Sequence, residues 1–180
     1  MTDEELMRAV CNGDQSAYQA IVRQHLKSIS HYAYRMLGNK KDTEDICQET
    51  FLKLWVNAAK WQPEKAKLST WLHTIARNLC VDYLRRHART LTLANLESET
   101  EAKLQHQVDL VERDTAHDQS TQLEQAILAL PENQRSALML CHFSGFSNKE
   151  AAAIMNVSVK ALESAIARAK RTLRKTLSKI

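Results

Sequence analysis

The sequence predicts an all-α protein built as two small helical domains joined by a linker, and three observations predict it. Apolar residues recur at helical spacing along most of the 180 residues. Glycine (3) and proline (2) are too scarce for the many tight turns of a β-sandwich or barrel. Charge is segregated: residues 60–89 carry seven basic and two acidic side chains, residues 159–180 seven and one, and residues 90–121 two and seven. Two basic blocks around an acidic stretch read as nucleic-acid-facing units at 1–89 and 122–180, with a linker at 90–121.

The first unit reads as four helices. Thr2 and Glu5 make a capping box for a short one. From Ser16, apolar positions at Tyr18, Ile21, Val22, Leu26, Ile29, Ala33, Met36 and Leu37 keep a 3.6-residue period up to Gly38. Asp42 opens a third helix, with Glu44 and Asp45 favoured by the positive end of its dipole. Pro63 marks a loop. Ser69 then caps a fourth helix with Leu72, Ile75, Ala76, Leu79 and Tyr83 on one stripe.

The second unit also reads as four. Thr121 and Glu124 form a capping box ahead of Leu123, Ile127 and Leu130. Pro131 suits the first turn of the next helix, which stops by Gly145. Ser147 and Glu150 cap a third, and Asn156 tolerates the left-handed turn that follows. Ser158 caps the last, through Leu162, Ile166, Ala169, Leu173 and Leu177. Units of this size bury only about 60% of their unfolded surface and gain stability from partners.

Several classes are set aside. Gly13, Gly38 and Gly145 cannot build a glycine-rich phosphate loop. The longest apolar runs span about five residues, too few to cross a membrane, and the opening MTDEELMRAV lacks the basic leader and apolar core of a signal peptide. A cytoplasmic protein is expected. Cys11, Cys47, Cys80 and Cys141 form no CxxC pair and read as reduced, small buried hydrophobes. The seven histidines lack metal-ligand spacing and no nucleophile elbow or HExxH occurs, so neither an enzyme nor a metal or other cofactor is expected.

Three constellations remain. Residues 147–171 have helix-turn-helix spacing. Ala151, Ala152 and Ala153 permit close approach, Val157 plugs the corner, and Leu162 and Ile166 face inward. That leaves Lys160, Glu163, Ser164, Arg168, Lys170 and Arg171 for DNA, with Ser158 at the phosphate-attracting N-terminus. In the helix over 42–59, Ile46, Cys47, Thr50, Phe51, Leu54 and Ala58 form an inward stripe. Asp45, Glu49, Leu52 and Val56 fall opposite, with Gln48 at the edge, and greasy groups among carboxylates suit a basic helical partner. Between 59 and 89, aromatic and basic residues alternate as single-stranded bases require. Trp61 beside Lys60, Lys65 and Lys67 is the stacking candidate, and Trp71 reads as core. Asn78 beside Arg77 can hydrogen-bond a base edge, and Arg85 and Arg86 close the helix.

These residues carry a family resemblance. Asp42-Thr43-Glu44-Asp45-Ile46-Cys47-Gln48-Glu49-Thr50-Phe51-Leu52-Lys53-Leu54-Trp55, then Ser69-Thr70-Trp71-Leu72-His73-Thr74-Ile75-Ala76-Arg77-Asn78, resembles region 2 of bacterial RNA polymerase sigma factors of the extracytoplasmic-function type. Leu130-Pro131-Glu132-Asn133-Gln134-Arg135 with the helix-turn-helix is similar to that family's region 4. The resemblance implies that Asp45, Gln48, Glu49 and Leu52 bind the clamp helices of the large subunit of core RNA polymerase. It implies that Trp61, Lys65, Lys67, Arg77 and Asn78 engage the −10 element, with Asn78 near a base captured from the melted non-template strand. Lys160, Ser164, Arg168 and their neighbours would read duplex promoter DNA at −35. It also implies an anti-sigma factor that occludes these surfaces, a stress-response role, and a chain that is monomeric when free.

The chain departs from the family where a recognition helix often reads Gly-Thr-Val-Lys/Arg-Ser-Arg and this one has Lys160-Ala161-Leu162-Glu163-Ser164-Ala165. Glu163 either accepts from a cytosine amino group or repels phosphate. A stand-alone helix-turn-helix regulator is the alternative, and an RNA-binding or sequestering adaptor a third class. A relaxed 32-residue linker spans about 30 Å, whereas promoter elements some 20–25 base pairs apart are separated by about 70–85 Å. The units are therefore expected to hold that separation only when docked on polymerase.

Overall fold

The computed structural model describes residues 1–97 and 115–179, and the side chains of 1–95 and 121–179. Most of the acidic stretch thus lies outside the described residues. Helix α1 (Asp3–Cys11) opens with the expected capping box: Glu5 N–H donates to Thr2 Oγ1 (3.2 Å) and Thr2 N–H to Glu5 Oε2 (2.9 Å). Helix α2 (Gln15–Leu37) is capped by Asp14, which accepts from Ser16 and Ala17, and stops at Gly38 in the left-handed conformation (φ +72°).

Three boundaries differ from the sequence reading. Helix α3 (Lys40–Asn57) starts before Asp42, because the Asn39 side chain accepts from the Asp42 N–H (3.1 Å). Two lysines in the first turn oppose the helix dipole and hide that start. After a 3-10 turn at Ala58–Lys60, helix α4 (Leu68–Glu97) begins one residue before Ser69, so Ser69 is not its cap. It also runs on through 90–97, where the sequence reads as linker. Helix α5 (Thr115–Leu128) contains Thr121 in its interior, so no capping box forms there with Glu124.

Helix α6 (Glu132–Leu138) follows Pro131 and widens into a π-turn at Met139–Phe143. Gly145 (φ +78°) reverses the chain. Helices α7 (Asn148–Met155) and α8 (Val159–Ser178) complete the chain, and no strand occurs among the described residues. Helices α1 to α4 surround Ile21, Ile29, Met36, Leu54, Leu68 and Leu72, all buried. Helices α5 to α8 surround Leu130, Leu140, Ile154 and Leu162.

Both sets join in a single apolar cluster. Helix α4 packs on α7 and α2 on α5. At the seam the Tyr32 hydroxyl and Ser136 Oγ, both buried, lie 2.8 Å apart. Arg135, only 7% exposed, donates to the carbonyl of Met36 in α2 and to those of Leu128 (2.7 Å) and Leu130 (3.0 Å). Two of these carbonyls lie in the last turns of α2 and α5, where orphan acceptors and the negative dipole end attract a cation.

His73 is buried at the same seam. Its ring meets Phe146 edge-on at 4.7 Å and Tyr32 at 5.9 Å. Nδ1 lies 2.7 Å from the Ser69 carbonyl, which can only accept, so Nδ1 carries the proton and Nε2 accepts from Ser28 Oγ (3.1 Å). Burial, above all other causes, pulls the His73 pKa below its ordinary value, and burial does the same to His25, whose Nε2 has no hydrogen-bond partner. The unfolded chain therefore takes up protons first as pH falls through about 6.5. The melting temperature is expected to hold above that pH and to fall on acidification below it. His73→Gln should flatten that slope; an unchanged slope would remove His73 as its source.

Candidate nucleic-acid and docking interface

Helix α3 separates its faces cleanly. Ile46, Cys47, Thr50, Phe51, Leu54 and the following Ala58 are buried, as the periodicity requires. Asp45, Gln48 and Glu49 are exposed, with Leu52 53% and Val56 70% exposed. Beside them runs a groove lined by Tyr18, Val22, Leu26, Phe51 and Leu52, edged by Glu44 and Gln48. The periodicity puts Leu26 on the inward stripe, yet it is 43% exposed and opens onto this groove. The groove wall is rigid, since the Tyr18 hydroxyl donates to the Phe51 carbonyl (3.0 Å) and its ring meets Trp55 edge-on at 5.2 Å. On the other flank the Tyr83 hydroxyl donates to Asp42 (2.6 Å), which pushes the tyrosine pKa up to about 12 and ties α4 to α3.

The basic stretch presents Lys60, Lys65, Lys67, Asn78, Arg85 and Arg86 to solvent. Arg77 is half-buried, and its Nε is buried without a hydrogen-bond partner. Trp61 is half-buried and packs against the core, with its indole N–H donating to the Ala66 carbonyl (3.0 Å). That bond shapes the proline loop and leaves only part of the ring free. Trp71 packs against the core. Arg85 pairs with Glu132 across the seam (3.1 Å).

The helix-turn-helix forms with the caps expected of it. Ser147 and Glu150 make the box (3.1 and 3.3 Å), and their bonds are the main reason the Glu150 carboxyl sits below its ordinary range, with Lys67 of the first unit adding to it. Asn156 adopts φ 55°, ψ 48°, and Ser158 accepts from the Ala161 N–H (3.1 Å). Ala151 and Ala152 are buried, as are Leu162, Ile166 and Ala169. Val157 does not plug the corner: it is 39% exposed, because the alanines already bring the helices together. Ser158, Lys160, Glu163, Ser164, Arg168 and Arg171 are exposed, and Lys170 is half-buried. Asn148 Nδ2 donates to Glu163 Oε1 (3.4 Å), a contact across the turn with no sequence signal.

The cysteines divide. Cys47 and Cys80 are buried, and burial pushes the Cys80 thiol up to about 12. Cys11 is exposed and Cys141 half-buried, against the expectation of four buried thiols; Cys11 closes the short α1 on its solvent side. No group of three or more His, Cys, Asp or Glu able to hold a metal occurs among the described residues. Nor is any described helix long and apolar enough to cross a membrane.

One acidic, partly apolar face and two basic ones on a helical frame define a protein that docks on a partner and faces nucleic acid at two places. Comparison with known proteins makes this specific. Residues 21–90 match the family described as Sigma-70 region 2, and residues 120–173 match Sigma-70, region 4. The chain is 33% identical to the ECF RNA polymerase sigma factor SigE of Mycolicibacterium smegmatis, over 99% of this chain and 70% of that protein. It is 32% identical to ECF RNA polymerase sigma factor SigW of Bacillus subtilis, over 98% of this chain and 97% of that one. Among solved structures, CnrH in complex with the cytosolic domain of CnrY superposes with a TM-score of 0.71 at 25% identity, covering 98% of this chain and 97% of that chain. The sigma factor RpoE of Bartonella quintana, solved with the anti-sigma factor NepR, shares the fold (TM-score 0.66, 22% identity, 89% and 96% covered). The chain belongs to the sigma-70 family, as a sigma factor of the extracytoplasmic-function type.

Proposed function

We propose that this sigma factor grips core RNA polymerase through the outer face of α3 and, so placed, opens and reads promoters with −10 and −35 elements. The observation that carries the reading is the exposure of Leu52 and Val56 among Asp45, Gln48 and Glu49 on a helix whose other side is locked in the core. A solvated bundle helix gains nothing from exposed leucine and valine; a partner helix with basic and apolar groups does. Lys60, Trp61, Lys65, Lys67, Arg77, Asn78, Arg85 and Arg86 engage the −10 element. Ser158, Lys160, Glu163, Ser164, Arg168, Lys170 and Arg171 face the −35 duplex. The protein supplies binding energy and no bond chemistry, works in the cytoplasm as a monomer when free, and is held inactive by an anti-sigma factor. Units at 1–89 and 122–180, joined by 90–121, carry these two tasks.

Co-sedimentation with core polymerase, followed by transcription from a two-element promoter, tests the reading. Core binding with promoter-selective initiation is the expected result. Tight, palindrome-dependent duplex binding without core would instead identify a stand-alone regulator. Arg168→Ala is expected to lower promoter use about tenfold, the worth of one lost phosphate or base contact, while core affinity stays unchanged. Equal loss of core binding would move Arg168 out of the DNA face.

A further inference from the structure

We propose that the packed arrangement of the two units is a closed, latched state that must open before both promoter elements can be read together. The inference rests on the two-element reading above, and it adds a conformational control built into the chain itself.

Four contacts across the seam carry it. Arg135 reaches from the start of α6 to the Met36 carbonyl of α2. Tyr32 and Ser136 share a buried hydrogen bond (2.8 Å). Phe146, just ahead of the helix-turn-helix, packs on His73 of α4 (4.7 Å), and Arg35 of α2 lies over the Phe143 ring (4.4 Å). Gly38 adds a fifth constraint. A Cβ built there would stand 2.6 Å from Leu128 Cδ1, so α5 approaches α2 as closely as it does only because that residue has no side chain.

Size makes the closed state incompatible with a two-element promoter. A compact chain of this length has a radius of gyration of about 16 Å and is about 40 Å across. Elements separated by about 70–85 Å lie beyond it. Lys67 of the first basic face already sits close enough to Glu150 of the helix-turn-helix to favour its ionised form. The two DNA-facing units are thus neighbours here, not ends of a span.

The seam is also built to part. When it opens, Arg135 keeps the Leu128 and Leu130 carbonyls of its own unit and gives up only Met36. Tyr32 and Ser136 exchange one hydrogen bond for water, a small net change. Arg85 and Glu132, at the rim, become free. Nothing across the seam requires unfolding of either unit.

Two measurements test the latch. Spin labels at the exposed positions 27 on α2 and 175 on α8 should give one short, narrow distance distribution in the free full-length chain. With core polymerase and promoter DNA it should lengthen by roughly 30 Å, the difference between the two lengths above. A long or broad distribution in the free chain overturns the proposal. So does an unchanged short distance in a complex that is transcribing. The second test is a reversible lock, Gly38→Cys with Leu128→Cys, in a chain with Cys11→Ser and Cys141→Ser; the two Cβ atoms fall within reach of a disulfide. Oxidised with glutathione disulfide, it should initiate more than about tenfold less than after reduction with dithiothreitol. Equal initiation in both states overturns the proposal. If the reduced form folds but supports no initiation, the sigma reading fails instead, and the free-chain distance still decides whether the latch exists. Should the left-handed backbone at Gly38 not tolerate the Gly38→Cys substitution and folding fail, the spin-label distances alone decide it.

Discussion

Replacement of Arg135 by alanine is expected to lower stability by about 3 kcal/mol, a fall of about 6–12 °C in melting temperature for a chain of this length. The guanidinium is 7% exposed and serves three carbonyls, those of Met36, Leu128 and Leu130. No carboxylate neutralises it inside the seam, and burial accordingly pulls its pKa down. Its favourable balance comes from the orphan carbonyls and dipole ends of α2 and α5, which water cannot reach in the closed state. Alanine would leave these acceptors buried without donors and open a cavity. Lysine would fail as well, since one ammonium cannot span three carbonyls with a planar fork. Thermal denaturation followed by circular dichroism checks both. A loss below about 1 kcal/mol would mean that the cost of burying the charge cancels its hydrogen bonds.

The second large effect is expected on binding. Glu49→Lys combined with Leu52→Ala should weaken the affinity for core polymerase by about a hundredfold while leaving the melting temperature nearly unchanged. Leu52 is 53% exposed, so its removal costs the fold little, but a partner that covers it loses about 1.5 kcal/mol of apolar burial. Reversal of Glu49, which is also exposed, adds a like-charge contact against a basic partner, and a total of about 3 kcal/mol corresponds to that factor. A fluorescence titration at two salt concentrations separates the contributions, since only the charge part is screened. If affinity is unchanged, α3 is not the docking helix and the proposed function loses its support.

The stability experiment and the binding experiment probe features of different legibility. The α3 face can be read directly, because a helix of known phase assigns each residue to a side: Ile46, Phe51 and Leu54 are buried while Glu49, Leu52 and Val56 are exposed. The helix-turn-helix is readable for the same local reasons, through the Ser147–Glu150 box, the left-handed Asn156 and the Ser158 cap. Errors fall where local signals compete. Thr121 has a capping pattern but lies inside α5, since a cap motif does not stop a helix that begins earlier. Asn39 is masked as a cap by the two lysines that follow it. Val157 looks like a corner plug, yet small alanines fill that role by permitting close approach.

By itself the sequence determined the helices, their inward stripes, the three outward faces and the family, because periodicity, caps and charge act over a few residues. Only the tertiary structure decided that the two units share one core. It alone placed Arg135 beneath α2, Ser136 against Tyr32 and Phe146 on His73, contacts separated by about a hundred residues or more in the first two cases. The physical reason is that each half is too small to bury its apolar surface alone. Which surface it then covers depends on shape complementarity in three dimensions, such as the space left at Gly38 for Leu128, which no pattern along the chain encodes.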